Sequence, residues 1–185
     1  MAPNRLAPAY LEDVRVLINT WHIPNETRVE TDELPRLADD PRLWRSTFGD
    51  LAVPRRGRLT ELIDLRATLR ADLGRVPAGM NRWLRAVPVT AVVGEEGRLE
   101  LAPSRDDTAG QILAKFALAL HHGDWRRMRA CDDCAWAFYD SSKGNTRRWC
   151  RMYGEGEGRA CGSIAKVRAY RKRQEGSPGV PAPAR

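Results

Sequence analysis

Apolar residues recur at helical spacing through the first part of the chain. Leu11, Val14, Leu17, Ile18 and Trp21 of LEDVRVLINTW fall on one face, the pattern of an amphipathic helix with one side toward a core. A second helix is expected over DDPRLWRSTF, with Asp40 as N-cap, Pro41 at the first helical position and Leu43, Trp44 and Phe48 inward. In TELIDLRATLR, Leu62, Leu65 and Leu69 mark a third helix, with Thr60 as its cap. The period then changes. VPVTAVVGEEGRLELAP holds two β-rich runs around Gly94-Glu95-Glu96-Gly97 and reads as a hairpin. SRDDTAGQILAKFALALHH returns to helix, with Ile112, Leu113, Phe116 and Leu120 facing the core. Residues 1–124 thus read as a mainly helical α+β domain with one β-hairpin.

Residues 125–174 have another character. They contain all four cysteines of the chain, with Trp125, Trp136 and Trp149, and no long aliphatic run. The cysteines stand as Cys131-x2-Cys134, then fifteen residues to Cys150 and ten to Cys161. This is structural zinc spacing. Two thiolates three positions apart in a tight turn can occupy adjacent corners of a tetrahedron about 2.3 Å from the metal, and the distant pair closes the others. A segment so poor in aliphatic side chains cannot bury enough apolar surface alone; zinc supplies folding free energy of about 10 kcal/mol or more in finger peptides. Disulfides would need an oxidising compartment, and a redox Cys-x2-Cys is expected beside a βαβ pattern and leaves the later pair unexplained. Between the pairs, AWAFYDSSKGNTRRWC reads as a hairpin: Trp136, Phe138 and Tyr139 lead to a turn at Ser142–Asn145, and Thr146–Trp149 return. Cys161 then opens a basic helix, with Ser163 as N-cap and Ile164 and Val167 packed on the finger. Knuckle, hairpin and helix together make a treble-clef-like finger holding one structural Zn2+.

Charge sharpens this division. The chain carries a formal net charge of +7. Residues 125–173 hold thirteen Lys/Arg against five Asp/Glu, so the whole surplus lies there, while residues 1–124 are nearly neutral. Such asymmetry is the footprint of a polyanion partner, or else a solvated face that aids solubility. No stretch of about 18 apolar residues offers a spanning helix, and the N-terminus lacks the pattern of a secretory signal, so a cytoplasmic location is expected. Residues 175–185, rich in Pro and Gly, read as a disordered tail. No nucleophile elbow, Gly-rich phosphate loop or HExxH pattern is present. Four cysteines fill a tetrahedron and leave no open site for an activated water. An enzyme is not expected.

The stretches CDDCAWAFYDSSKGNTRRWC and CGSIAKVRAYRKR resemble the CGNR zinc-finger family. VRVLINTWH, with Asn19-Thr20, and DELPRLADDPRLWR resemble the opening of the ABATE domain that usually precedes this finger. The resemblance implies that Cys131, Cys134, Cys150 and Cys161 are the metal ligands and that the protein is a stress-induced transcription regulator. Arg147, Arg148 and Trp149 match the block before the third ligand, and Gly162, Ala165 and Lys166 match the start of the helix. Ser163 and Ile164 replace the Asn-Arg of the family motif, and GEGEGR lengthens the gap before Cys161 as a flexible, partly acidic loop.

DNA binding needs cations for phosphates and a rigid element that fits a groove. Lys166, Arg168, Arg171, Lys172 and Arg173 on the helix, extended by Arg147 and Arg148, are the expected nucleic-acid contacts. Asn19, Thr20, Trp21 and His22 form a polar-aromatic cluster at a helix end, a candidate pocket for a small-molecule effector; simple capping of that helix is the rival reading. DNA and an effector are therefore the expected partners, a homodimer is allowed for, and no membrane is expected, because the helix lacks a wide apolar face. The alternative is a zinc-stabilised protein-interaction module that touches no nucleic acid.

Overall fold

The computed structural model describes residues 7–151 and 160–175. Helices α1 (Ala9–Asn19), α4 (Leu59–Ala71) and α6 (Thr108–His121) pack on one another and form the centre of the molecule. Leu11, Val14, Leu17 and Ile18 meet Leu62, Leu65 and Leu69 and Ile112, Leu113 and Phe116 in one buried cluster. Burying each such side chain contributes about 1.5–3 kcal/mol relative to exposure. Short helices α2 (Leu34–Asp39), α3 (Pro41–Phe48) and α5 (Asn81–Ala86) close the rim. Asp40 caps α3 by accepting from the amides of Arg42 at 2.8 Å and Leu43 at 3.3 Å. Trp44, fully buried, donates its indole N–H to the Leu51 carbonyl at 2.9 Å.

Among the described residues there are also three two-stranded antiparallel sheets. β1 (Trp21–His22) pairs with β2 (Thr31–Asp32), and β3 (Val89–Val93) with β4 (Leu99–Pro103). The latter is the hairpin expected around Gly94–Gly97; Gly97 takes φ 72°, and the pair lies against α6. β5 (Met128–Ala130) pairs with β6 (Ala137–Tyr139). The last element, α7, runs from Cys161 to Glu175.

Several expectations are corrected. Trp21 is not on the face of α1: the helix stops at Asn19, and the Thr20 hydroxyl closes it by donating to the Leu17 carbonyl at 2.7 Å. Thr60 is not a cap, because α4 already starts at Leu59. Leu120 is 39% exposed, and Ala119 takes the inward position beside Phe116. No helix among the described residues is long and apolar enough to cross a membrane. The tail expected at 175–185 lies, from residue 176 on, outside the described residues, as does the GEGEGR loop.

The core does not stop at residue 124, where composition changes. Trp125, 2% exposed, meets Phe116 edge-on with ring centroids 4.8 Å apart, and Met128 and Ala137 belong to the same buried cluster. The first half of the cysteine-bearing segment is therefore built onto the helical core.

Candidate metal centre

Cys131 and Cys134 lie in the loop joining β5 to β6. The Cys131 amide donates to the Trp136 carbonyl, and the Ala135 amide to the Cys131 carbonyl, both at 2.9 Å. Closing this turn puts Ala135 at φ 58°, in the left-handed region that a Cβ disfavours. The expected hairpin is corrected in its pairing: β6 bonds to β5 upstream, and residues 146–149 form no strand. The turn itself is present, with the Asn145 amide donating to the Ser142 carbonyl at 3.3 Å. What organises the return is Asp140, fully buried, whose carboxylate accepts from the amides of Ser142 at 2.9 Å and Arg147 at 2.8 Å. Burial opposes ionisation of Asp140, yet these hydrogen bonds outweigh it and hold the carboxyl below its usual range. The Arg147 amide bound in this way is not available to a ladder.

The fold brings the four cysteine sulfurs within 4.8 Å of one another. Cys134 and Cys150 sulfurs are 3.6 Å apart, and those of Cys150 and Cys161 are 3.7 Å apart. A tetrahedron of sulfurs about 2.3 Å from a zinc ion has edges of about 3.8 Å, so the cluster has the dimensions of a filled site. No disulfide joins the four cysteines. Three of them are buried and Cys150 is partly so.

Electrostatics within the cluster call for a cation. Sulfur-to-sulfur hydrogen bonds from Cys134 and Cys150 push the Cys131 thiol far down. The same bonds, seen from their donors, push Cys134 up to about 12 and Cys150 up as well, and burial raises Cys161. Four buried thiolates side by side repel one another and lack solvation, and a divalent ion removes that penalty. Cys161 is the first residue of α7, where the helix dipole favours negative charge. All-thiolate, buried and closed, this donor set fits one structural zinc ion held by Cys131, Cys134, Cys150 and Cys161.

The basic residues separate into two groups. Arg147 turns inward: its guanidinium donates to the carbonyls of Trp149, at 2.8 Å, and Cys150, and lies over the Phe138 ring. Arg148 is exposed and pairs with Asp132 at 2.6 Å. Arg168 pairs with Asp133 at 2.7 Å. Lys166, Arg171, Lys172 and Arg173 are exposed, and none has a hydrogen bond or ion pair with another described residue. Ser163 is not the cap of this helix, which starts two residues earlier, and Val167 is 50% exposed rather than packed on the finger.

The cluster Asn19, Thr20, Trp21 and His22 is where the helical core grips the finger. Asn19, 6% exposed, accepts from the Ala137 amide at 2.6 Å and donates to the Ala137 carbonyl at 2.9 Å. Thr20 accepts from Arg66, which pairs with Asp32 through two contacts of 2.6 Å. Arg70 stacks on Trp21 at 4.2 Å and donates to the carbonyls of Ile18, Trp21 and Ala135; burial, then the neighbouring Arg66, lowers it to about 10. His22 meets Trp136 edge-on at 5.4 Å. Asp124 accepts from Tyr10 of α1 and, at 2.6 Å, from Tyr139 of β6. Asn19, Thr20 and His22 also line a cleft of about 370 Å³ with Arg15, Arg36 and Trp136, while Trp21 lies outside it. Sequence reasoning did not find this docking network, because its partners lie from 15 to 118 positions apart and several of them are backbone carbonyls or amides.

None of the curated proteins compared with the chain matches it. Residues 127–174 match the family model of the CGNR zinc finger, a span that contains all four clustered cysteines and most of α7.

Proposed function

We propose that the protein is a DNA-binding transcription regulator that presents α7 to the duplex from a zinc-anchored finger of treble-clef-like shape. The observation that carries this reading is a cluster of exposed cations, Lys166, Arg171, Lys172 and Arg173, around the far part of a helix whose first residue belongs to the four-cysteine cluster. An anchored helix meets a groove at a set angle, and its cations neutralise phosphates. Arg148 is near enough to the finger surface to extend that track, whereas Arg147 acts by holding the loop around Cys150.

The resemblance of residues 1–124 to the ABATE domain supports a sensing role for the helical part. An effector in the cleft beside Asn19, Thr20 and His22 would touch Trp136 of the finger, so occupancy and finger position would be linked. Ligand screening by thermal shift on the zinc-loaded chain tests that link.

Fluorescence anisotropy with duplex DNA at two salt concentrations tests the main reading. With four phosphates neutralised, the slope of log K against log salt is about −3.6, and affinity falls roughly 100-fold between 50 and 200 mM salt. A Lys166→Glu/Arg171→Glu/Lys172→Glu variant should lose binding while keeping its zinc. Equal binding by variant and wild type, or none by the zinc-loaded wild type to any duplex in a randomised pool, would refute it and favour a protein-interaction module.

A further inference from the structure

The loop joining β1 to β2 reaches across to the cysteine cluster. Its Ile23 amide donates to the Cys134 carbonyl at 3.3 Å. Two residues on, the Asn25 side-chain nitrogen lies 3.4 Å from the Cys161 sulfur. The Arg28 guanidinium is 3.4 Å from the Asn25 side-chain oxygen, and it also donates to the Asp133 carbonyl at 2.8 Å and meets the Asp133 carboxylate at 3.3 Å. That carboxylate, 4% exposed, receives Arg168 of α7 on its other oxygen.

We infer that this loop belongs to the metal centre: Asn25 is a positioning residue that donates an N–H···S hydrogen bond to the zinc-bound Cys161 thiolate, with Arg28 orienting its amide. The amide orientation follows from its neighbours. Both amide atoms lie near the sulfur, nitrogen at 3.4 Å and oxygen at 3.6 Å; with the oxygen also 3.4 Å from the Arg28 cation, the nitrogen is the atom that can donate to a thiolate, and the flipped amide would set NH2 against the cation. Four thiolates on one Zn2+ leave a net charge of −2, which hydrogen-bond donors disperse. For Cys161, a nitrogen donor among the described residues comes from 136 positions earlier in the chain. Metal affinity is thereby tied to the helical part, and the shared Asp133 fixes the same loop to the basic helix. The inference rests on the metal site alone and stands whatever α7 contacts.

The test is competition for zinc against a chromophoric chelator, using the full chain and its Asn25→Ala and Asn25→Asp variants, with circular dichroism to match their folds. Loss of such a partner weakens metal binding about 10–100-fold. Asn25→Ala should fall in that range. Asn25→Asp, equal in shape but unable to donate, should lose at least as much. Both variants should also speed iodoacetamide labelling at Cys161, mapped by mass spectrometry, more than at Cys131. Affinity within twofold of wild type for either variant, or unchanged labelling of Cys161, overturns the assignment.

Discussion

Asn19→Ala removes the side chain that spans the junction between α1 and β6. Two hydrogen bonds disappear, at 2.6 and 2.9 Å, and the amide and carbonyl of Ala137 lose that partner inside a site from which water is excluded. An unsatisfied buried polar group costs about 1–3 kcal/mol. With both groups affected and some relaxation, the loss is about 3 kcal/mol. For a chain of 185 residues, that corresponds to a fall of roughly 6–12 °C in Tm. Thermal and urea unfolding of the zinc-loaded protein, followed by circular dichroism, measure it. Asn19→Asp is the sharper companion. It keeps the acceptor for the Ala137 amide but sets a second carboxylate oxygen against the Ala137 carbonyl, so it should destabilise at least as much despite equal size. If Asn19→Ala stays within about 0.5 kcal/mol of wild type, the range of an ordinary surface change, then Asn19 does not hold the finger and the docking argument fails.

Asp140→Asn replaces one acceptor by an NH2 facing either the Ser142 or the Arg147 amide, and should cost about 1–3 kcal/mol in urea unfolding; an unchanged midpoint would remove Asp140 as the organiser of the return loop. Ala135→Gly relieves a left-handed backbone and should raise stability by about 0.5–1 kcal/mol after the extra freedom of the unfolded chain is allowed for, so a lower Tm would contradict the strain. Tyr10 and Tyr139 are both raised, first by burial and then by their bonds to Asp124, Tyr139 to about 12. Their contribution is complete below the ordinary tyrosine value near 10 and is lost as pH rises toward 12. Ultraviolet titration should show two of the four tyrosines ionising late, and Tyr10→Phe/Tyr139→Phe should remove that late fraction.

What could be read in the chain depended on how local the cause was. The helices over α1, α3, α4 and α6 follow from apolar spacing, and the Asp40 cap from a residue type acting on amides two and three positions ahead. The hairpin at Gly94–Gly97 follows from turn residues between two β-rich runs. The metal centre was legible for another reason: thiols at Cys131, Cys134, Cys150 and Cys161 have few stable fates, and their spacing selects among these. Errors arose where two local solutions compete. Thr146–Trp149 has strand-like composition, but the buried carboxylate of Asp140 takes the Arg147 amide and the Ser142 hydroxyl that of Thr146. Ser163 is a good cap, but the helix already starts at Cys161, a member of the cysteine cluster. Arg147 looks identical to Arg148 in sequence, and only the fold turns one toward backbone carbonyls and the other toward solvent. The junction itself left no local signal, since Asn19, Asn25 and Arg28 resemble ordinary loop and helix-end residues until their distant partners arrive.

The joining of Cys150 and Cys161 to the Cys131–Cys134 turn is assigned to one zinc ion bound by four sulfurs. X-ray absorption at the zinc edge of the reduced, freshly purified full chain measures this directly. The expected result is one zinc per chain with four sulfur neighbours at about 2.3 Å and no lighter atom in the shell. A first shell containing nitrogen or oxygen, or protein that is folded without stoichiometric zinc, would contradict it.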